Sequence, residues 1–412
     1  MKRVVVTGIG MINALGLDKE SSFKAICEGK TGVKEITSFD VSEFPVKIAA
    51  EITDFDPNSI LDGKEVKKVD RFIQLGIKAS NEAMADANFK EFDAHKFGVS
   101  SAAGIGGLPN IEKNSITYFE KGVKRISPFF IPSALVNMLG GIVSINHGLK
   151  GPNLSSVTAC AASTHAISQA AKCIMIGQAT NMLVIGAEST ICGVGIGGFA
   201  AMKALSTRND EPSKASRPFD ANRDGFVMGE GAGALVLEEY ESAVARGAKI
   251  YAEVVGFGST CDGTHITRPQ SATMKAAMSL ALRAAKLEPK SIGYVNAHAT
   301  ATKHGDIAES IATNELFGED IDTSESTPLG KYIRLGCEDK RDIGEEMEDI
   351  YQSFCYLTAS GAALRKLCAN LGVTISVGSP ARHTVTLTGS PGVRIPAGTK
   401  VATADKTLVF HT

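Results

Sequence analysis

Residues 3–10 read RVVVTGIG, an arginine followed by an apolar run and two glycines. The three valines are β-branched and favour a buried strand, and the glycines favour a turn at its end. Residues 19–30, KESSFKAICEGK, then have the pattern of a helix that closes before Gly29. A buried strand, a glycine turn and a helix are the expected start of an α/β fold.

The same alternation continues along the chain. In residues 71–88, Phe72 and Leu75 share one helical face with Ala79, Ala83 and Ala87. Further elements are predicted as a helix at 162–177 that Gly177 stops, a strand at 181–188, a helix at 273–287, a strand at 292–300 (IGYVNAHAT) and a helix at 306–318. Strands separated by helices predict mostly parallel sheets.

A short internal repeat indicates two related halves. Residues 5–10, VVTGIG, are similar to residues 254–258, VVGFG, and a helix pattern follows each. We therefore expect an N-terminal half, residues 1–250, and a C-terminal half, residues 251–412.

The longest polar, turn-rich stretch is STRNDEPSKASRPFDANRDGF (206–226). A loop of that length inside a compact domain is often functional. Its DANRDG segment lacks the acidic spacing and the terminal glutamate of a calcium loop, so no calcium site is predicted.

The composition is that of a soluble globular protein, with 412 residues, 43% of them hydrophobic and 21% charged. A net charge of -2 implies no general attraction to nucleic acid or membranes. No apolar run approaches the roughly 18 residues that span a bilayer, and the N-terminus lacks a signal-peptide cleavage pattern. The eight cysteines are scattered without a C-x-x-C pair. This predicts neither a metal site nor a disulfide framework and favours the reducing cytoplasm.

A dinucleotide-binding loop is a second interpretation of TGIGMINALG (7–16). However, Asn13 stands where the third glycine of G-x-G-x-x-G would fall, and no acidic residue ends the second strand to bind a ribose. A plain strand-to-helix turn is favoured, and no cofactor is predicted.

Cys160 is the first candidate for chemistry. It lies in SSVTACAASTHAI (155–167), where a predicted strand gives way to an alanine-rich helix. If that helix begins at Cys160 or Ala161, its free N–H groups and dipole favour a thiolate and offer donors to an oxyanion. The neighbouring alanines leave room for a thioester. A buried structural cysteine is the other interpretation, which spacing alone favours.

His298 favours the interpretation of Cys160 as a nucleophile over that as a structural cysteine. It lies in YVNAHATAT (294–302), at the carboxyl end of a predicted strand, where α/β proteins bind their ligands. A cysteine and a histidine, each at the end of an element, are the pattern of a nucleophile and its base. His165, inside the helix after Cys160, and His265, in a loop, are interpreted as structural.

Together these residues resemble the β-ketoacyl-acyl-carrier-protein synthases of type II fatty-acid synthesis, the elongating condensing enzymes. The resemblance covers about residues 1–318. Its motifs are RVVVTGIGMINALG (3–16), SPFFIPSALVNM (127–138), GPNLSSVTACAASTHAI (151–167), GGFAAMKALSTRND (197–210), ASRPFDANRDGFVMGEGAGALVLEE (215–239) and YVNAHATAT (294–302). It implies a thiolase-like fold, with two related α/β halves in a five-layered arrangement, that forms a homodimer.

The resemblance also implies a decarboxylative condensation of acyl- and malonyl-acyl-carrier protein in fatty-acid elongation. Cys160 would accept the acyl chain from the carrier protein's phosphopantetheine arm, and the carbanion from malonyl-carrier protein would then attack it. His298 corresponds to the first of two catalytic histidines in the family. Thr300 and Thr302 correspond to threonines that bind the pantetheine arm, and Glu309 to a buried glutamate near the active site.

Two departures lie inside the matching region. The family's HGTSTP is HATATK here, so that Ala299 replaces a glycine and Lys303 replaces a proline. Ala299 is unfavourable only if the backbone needs a positive φ at that position. Lys303 brings a charge close to the expected pantetheine entrance.

After about Glu319 the resemblance ends. The family's segment with a lysine and the second catalytic histidine is not found, although CYLTASGAAL (355–364) aligns with a tyrosine in the histidine position, and the GFGGTN motif is missing as well. Residues 384–401 have the pattern of a strand, a turn and a strand instead. Divergence, a scrambled or frame-shifted tail, and a retained fold with different chemistry each account for this ending.

We therefore expect an acyltransferase, a 3-oxoacyl-acyl-carrier-protein synthase that acts through acyl-Cys160. Its expected partners are an acyl carrier protein and a second copy of the chain, with no nucleic acid and no membrane. Basic segments at 64–71 and 121–125 are candidate docking surfaces for the carrier, or solvated helix faces.

The alternative is a non-catalytic or stalled acyl-binding partner subunit. Cys160 argues against it, and the unmatched residues 319–412 argue for it. A nucleotide-dependent oxidoreductase is the third hypothesis.

Overall fold

The structure, a computed structural model, describes residues 1–318 and the backbone of residues 385–387 and 408–410. The chain divides into two compact units, residues 1–332 and 333–412. The possible match at 355–364 and most of the predicted strand, turn and strand at 384–401 lie outside the described residues.

The first unit contains a sheet with helices on both faces. Its strands are β1 (Val4–Asn13), β2 (Lys34–Glu35), β3 (Ile48–Ala49), β4 (Phe97–Ala102), β5 (Asn153–Ser156), β6 (Asn181–Glu188), β7 (Gly231–Glu239) and β8 (Ala252–Glu253). Its α-helices are α1 (Lys19–Cys27), α2 (Gly63–Val66), α3 (Arg71–Ala87), α4 (Leu108–Lys121), α5 (Phe130–Ala134), α6 (Asn137–His147), α7 (Ala162–Met175), α8 (Gly193–Ala201), α9 (Tyr240–Ala245), α10 (Ser271–Ala285) and α11 (Lys303–Phe317). Short 3-10 helices are Pro57–Ser59, Ala94–Lys96, Val123–Arg125, Ala159–Ala161, Pro212–Lys214 and Pro289–Ser291.

In the second unit, β9 (Val385–Leu387) pairs in an antiparallel ribbon with β10 (Leu408–Phe410). β9 falls within the first strand predicted for residues 384–401.

The main sheet has six strands in the order β5-β4-β6-β7-β1-β8. β4 is parallel to β5 and β6, but β7 is antiparallel to both of its neighbours, and β1 is antiparallel to β8. The prediction of mostly parallel sheets is therefore wrong. Glu188 at the end of β6 pairs with Gly231 at the start of β7, so the long connection between them returns to the same end of the sheet.

Helices cover both faces because the strands are apolar on both sides. In β6, Leu183 and Ile185 join the core beneath α3 and α6, whereas Met182 and Val184 join the core beneath α7. All five residues of the inner face predicted for residues 71–88 are buried in α3. The helices predicted at 19–30, 162–177, 273–287 and 306–318 and the strand at 181–188 are confirmed as α1, α7, α10, α11 and β6.

The first glycines form no turn, because β1 continues through them to Asn13. They let α3 lie directly on the strand. A Cβ at Gly8 would lie 2.3 Å from the Ala83 carbonyl oxygen, and one at Gly10 would lie 2.0 Å from that of Ala79. The predicted turn is wrong because the missing side chains serve close helix packing rather than a change of chain direction.

The internal repeat of the sequence is also a repeat of this packing. A Cβ at Gly256 would lie 2.4 Å from the Ala281 carbonyl oxygen, and one at Gly258 would lie 2.0 Å from that of Ala277, both in α10. A pair of glycines therefore lies directly against a helix backbone in both copies of the repeat.

The strand predicted at 292–300 is wrong, since these residues belong to no strand in the described part of the chain. A strand exists only through hydrogen bonds to a neighbouring strand, and an apolar run by itself does not provide one. Two N–H groups of this segment instead donate to the Glu309 carboxylate, as described below.

Neither a disulfide nor a metal-binding cluster of His, Cys, Asp and Glu occurs within residues 1–318. Over the same residues, no helix is both long enough and apolar enough to traverse a bilayer.

We predict that Gly10→Ala destabilises the fold. The added methyl group would meet helix backbone, which has no rotamer with which to yield, so the free energy of unfolding should fall by about 1–3 kcal/mol or more. Urea and thermal melts measure it. Gly233→Ala in β7 is the matched control, because no atom lies within 4 Å of its Cβ position. Equal stability of the two variants would contradict the packing role of Gly10.

Candidate active site

Cys160 lies on a tight turn between β5 and α7. It is the central residue of the 3-10 helix Ala159–Ala161, and α7 begins at Ala162, one or two residues later than the start considered at Cys160 or Ala161. Ala159 has a positive φ of 50°, which interrupts a regular helix at this point and accounts for the later start. The Cys160 side chain is exposed, so the interpretation as a buried structural cysteine is wrong.

The Cys160 thiol and the His298 imidazole are neighbours, and a hydrogen-bonding interaction between them is the largest cause of the pKa shift of each. This bond lowers the pKa of Cys160, an effect that burial partly opposes. The same bond raises the pKa of His298, against a smaller effect of burial. A lowered thiol pKa beside a raised imidazole pKa favours a thiolate–imidazolium pair, the reactive form of a cysteine nucleophile.

Two buried cysteines show the opposite behaviour. Burial raises the pKa of Cys173, and burial together with the neighbouring Glu112 raises the pKa of Cys192 to about 12. Cys160 is thus distinguished by an imidazole partner and by its access to solvent.

Glu309 of α11 holds the backbone that carries His298. One carboxylate oxygen accepts the N–H of His298 at 2.6 Å, and the other accepts the N–H of Ala299 at 2.9 Å. Among the residues that the structure describes, the segment 292–300 has no strand neighbour, and these two bonds hold its backbone instead. Glu309 therefore sets the position of His298 through its main chain, and its side chain is half-buried.

The backbone beyond His298 is strained. Ala299 has φ 50° and Ala301 has φ 57°, in the left-handed region where a Cβ is unfavourable. The condition under which Ala299 would be unfavourable is therefore met. The C-terminal end of this segment is also held in place, because the carbonyl oxygen of Ala301 accepts a hydrogen bond from the Gly225 N–H at 3.0 Å.

Thr300 and Thr302 lie together at the start of α11. Their hydroxyl oxygens are 2.9 Å apart, and the Thr302 hydroxyl caps the helix by accepting the N–H of Gly305 at 3.2 Å. A Cβ at Gly305 would lie 2.8 Å from the Thr300 hydroxyl oxygen, so glycine leaves these two hydroxyls their space. Lys303 is exposed at the first residue of the helix.

Sequence reasoning missed the ion pair that fixes this helix start. Asp306 is 1% exposed and lies 3.2 Å from Arg223, whose guanidinium also donates to the carbonyl oxygens of Thr302 and Lys303. Asp306 also accepts the N–H of Phe219 at 2.8 Å. Burial raises the pKa of Asp306, and Arg223 counteracts that rise.

This ion pair ties the polar loop 206–226 to α11. The available sequence signal was an acidic residue in the first turn of a predicted helix, together with arginines in the long polar loop. Nothing in either segment indicates which arginine pairs with Asp306.

Glu188 is a second missed residue. At the end of β6 its carboxylate accepts the N–H groups of Ile105 at 2.7 Å and Gly106 at 3.1 Å. Burial raises the pKa of this carboxyl, and the N–H donors oppose that rise. The Cβ position of neighbouring Gly104 is 3.7 Å from the Ala159 Cα, so Glu188 shapes the loop beside the Cys160 turn.

Comparison with protein families gives two matches in chain order. The model of the beta-ketoacyl synthase N-terminal domain matches residues 1–243, and that of the beta-ketoacyl synthase C-terminal domain matches residues 251–330.

Curated relatives are similar over the same part of the chain. The 3-oxoacyl-[acyl-carrier-protein] synthase 2 of Coxiella burnetii is 47% identical over 322 residues, which are 77% of this chain and 78% of that protein. The protein of the same name from Vibrio harveyi is 47% identical over 323 residues, with the same coverage of 77% and 78%.

Solved structures agree with the fold. A beta-ketoacyl synthase from Burkholderia phymatum has a TM-score of 0.72 and 39% identity, over 77% of this chain and 79% of that chain. A complex of the ketosynthase AntDE with a type II acyl-carrier protein, AntF, has a TM-score of 0.69 and 30% identity, over 77% of this chain and 78% of that chain. Both are thus similar to the part of the chain that carries Cys160 and His298.

We predict that Ala299→Gly stabilises the protein. Glycine removes the Cβ from a left-handed position, and the free energy of unfolding should rise by about 1 kcal/mol. Thermal and urea melts provide the measurement. Ala297→Gly is the control, because Ala297 has no positive φ and glycine there should destabilise. If Ala299→Gly destabilises as much as Ala297→Gly, the position is not strained.

A second prediction concerns the imidazole. His298→Asn should raise the pKa of Cys160, lower the thiolate fraction at neutral pH and slow alkylation by iodoacetamide. Alkylation at a series of pH values, followed by peptide mass spectrometry with exposed Cys27 as reference, measures the shift. The control is His304→Asn, an exposed histidine on α11. A Cys160 profile that His298→Asn leaves in place would show that the hydrogen bond does not form in solution.

Proposed function

The chain belongs to the beta-ketoacyl synthase family, and on that basis we propose how its residues perform the reaction. The protein is an enzyme, a 3-oxoacyl-[acyl-carrier-protein] synthase that condenses an acyl chain with a malonyl unit in fatty-acid elongation. The observation that carries the residue assignment is the interaction of the His298 imidazole with the exposed Cys160 thiol, which follows a residue of positive φ, Ala159.

In the first half-reaction, the Cys160 thiolate attacks the carbonyl carbon of the acyl-carrier thioester. A tetrahedral oxyanion forms, the carbon–sulfur bond to pantetheine breaks, and the pantetheine thiolate takes a proton from the His298 imidazolium. The acyl chain is then bound to Cys160. No side chain caps the helix start after Cys160, and the N–H of Cys160 itself is proposed to donate to the oxyanion.

In the second half-reaction, malonyl-carrier protein occupies the site beside acyl-Cys160. Loss of carbon dioxide leaves its electron pair on the thioester enolate, whose oxygen accepts a hydrogen bond from His298. The enolate carbon attacks the acyl carbonyl, and the bond to Cys160 breaks to return the thiolate. The Thr300 and Thr302 hydroxyls lie next to His298 along the chain and are proposed to bind the amides of the pantetheine arm.

The family's second catalytic histidine has no counterpart within residues 1–318. With one donor to the enolate oxygen instead of two, decarboxylation should be slower by roughly 10²- to 10³-fold. Acyl transfer to Cys160 does not use that donor. A chain that accepts the acyl group but does not condense it, the stalled acyl-binding subunit, is therefore the alternative function.

We propose further that residues 1–250 form the half with Cys160 and residues 251–412 the half with His298, a division that the repeated glycine packing supports. A homodimer is proposed because β5 is an edge strand of the sheet and large apolar side chains, such as Phe119 at 90% and Ile131 at 58%, are exposed. The proposed carrier partner and cytoplasmic location follow from the acyl-carrier substrates of the relatives.

Intact-protein mass spectrometry tests the function. The purified chain is weighed alone, then after incubation with acyl-carrier protein, and again after malonyl-carrier protein is added. We expect an acyl adduct that Cys160→Ser abolishes and Cys27→Ser leaves in place, followed by slow release of a chain two carbons longer. A stable adduct without release would support the stalled subunit. If no adduct forms, Cys160 is not the acyl acceptor.

A further inference from the structure

His165 makes two hydrogen bonds that a packing role does not require. Its Nδ1 lies 2.7 Å from the Thr158 hydroxyl oxygen, and its Nε2 lies 3.1 Å from the Ser259 hydroxyl oxygen. Thr158 is two residues before Cys160, whereas Ser259 comes from the chain that follows β8. The imidazole therefore bridges the Cys160 turn and the chain segment that precedes α10.

We propose that His165 is a positioning residue for Cys160, which it orients through Thr158. This inference rests on the proposed role of Cys160 as the acyl acceptor. It assigns to His165 no contact with substrate, and it replaces the interpretation of this histidine as merely structural with a proposal that can be tested.

The conformation of the turn shows why such a bond is needed. Thr158 has φ -134° and ψ 43°, and Ala159 follows with φ 50°. A non-glycine residue in the left-handed region costs about 1–2 kcal/mol and persists only where its surroundings fix it. The bond from Thr158 to His165, in the first turns of α7, closes a loop of backbone around Ala159 and Cys160. The rigid helix thus holds the strained turn from its far side.

The bond to His165 also keeps the Thr158 hydroxyl from capping the 3-10 helix. Thr158 occupies the cap position of the 3-10 helix, where a threonine hydroxyl ordinarily accepts a backbone N–H. Here it makes no such bond, because it is directed to the imidazole. The N–H of Ala161 donates to the Thr158 carbonyl oxygen at 3.2 Å and that of Ala162 to the Ala159 carbonyl oxygen, so the donor proposed for the oxyanion is the N–H of Cys160. The bond to His165 orients the turn and keeps the Thr158 hydroxyl from capping it.

The bond between His165 and Ser259 also links the Cys160 turn to the elements that hold His298. The chain around Ser259 packs on α10, where a Cβ at Gly258 would lie 2.0 Å from the Ala277 carbonyl oxygen. α10 in turn packs on α11, whose Glu309 holds the His298 backbone. His165 thus contacts, on one side, the turn that carries the thiol and, on the other, the layer that carries the imidazole.

The test removes the Thr158 hydroxyl without changing the side-chain shape, in Thr158→Val. Thr158→Ser keeps the hydroxyl, and Thr164→Val is the matched control, since Thr164 is exposed on α7 and makes no side-chain hydrogen bond there. The readout is alkylation of Cys160 by iodoacetamide from about pH 5 to about pH 10, with the melting temperature measured alongside. The titratable groups that face Cys160 are His298, with Glu309 and Asp306 behind it.

We expect Thr158→Val to slow alkylation at neutral pH about tenfold, because displacing a reacting group by a fraction of an ångström already has effects of this size. Its pH profile should move to higher pH, as the thiol separates from the imidazole. Thr158→Ser and Thr164→Val should keep the profile of the unchanged protein. Ser259→Ala, which removes the second bond alone, should give a smaller shift in the same direction.

Two results would overturn the proposal. One is a Thr158→Val profile that matches the unchanged protein, even if the melting temperature falls, since His165 would then be merely structural. The other is an equal loss in Thr158→Val and Thr164→Val. If Thr158→Val does not fold, Ser259→Ala decides by the same criterion. The test needs no carrier protein, so failure of acyl loading by the unchanged chain would contradict the proposed function and leave this result intact.

Discussion

The close approach of α3 to β1 is the constraint on which the first unit depends. Glycines let the helix backbone lie against the strand, and this proximity has a second effect on the polar groups of β1. β8 pairs with β1 only at Val5 and Val6, so the N–H groups further along that edge have no strand partner within residues 1–318. Asp86 accepts the N–H of Ile9 and Glu82 accepts that of Met11, each at 2.9 Å, and both carboxylates come from α3. One helix thus fills the core and completes the sheet edge, where unpaired N–H groups would be costly.

The active site uses the same device where a ladder is absent. Carboxylates on helices or strand ends accept pairs of adjacent N–H groups, as Glu309 does for the His298 segment and Glu188 for the loop at Ile105. Asp306 accepts the N–H of Phe219 and adds an ion pair to Arg223. Such bonds hold irregular backbone in one conformation, and irregular backbone is what presents a thiol and an imidazole to each other across elements.

Residue spacing in the sequence correctly predicted those helices and strands that depend on neighbouring residues in the chain. The alanine face of α3, the stop of α7 near Gly177 and the strand β6 follow from residue spacing, and the structure agrees. The antiparallel direction of β7 does not follow, because it depends on where a long connection returns. The pair of Arg223 and Asp306 joins residues 83 positions apart in the chain, and no local pattern encodes such a partner. The positive φ of Ala159 was equally hidden, since alanine signals a helix.

The charges around His298 give it two different roles in the proposed reaction. In the free enzyme the Cys160 thiolate is the largest cause of the raised His298 pKa, and Glu309 and Asp306 add to it. Acylation replaces the thiolate by a neutral thioester, so that cause disappears while burial continues to lower the pKa. The imidazole that gave its proton to the leaving pantetheine has then lost the largest cause of its raised pKa, and we propose that it donates its remaining N–H to the malonyl thioester oxygen. Return of the thiolate at the end of the cycle raises the pKa of His298 again, and the imidazole takes up a proton from solvent to restore the imidazolium. In the proposed cycle the state of Cys160 thus determines whether His298 acts as an acid or as a neutral hydrogen-bond donor.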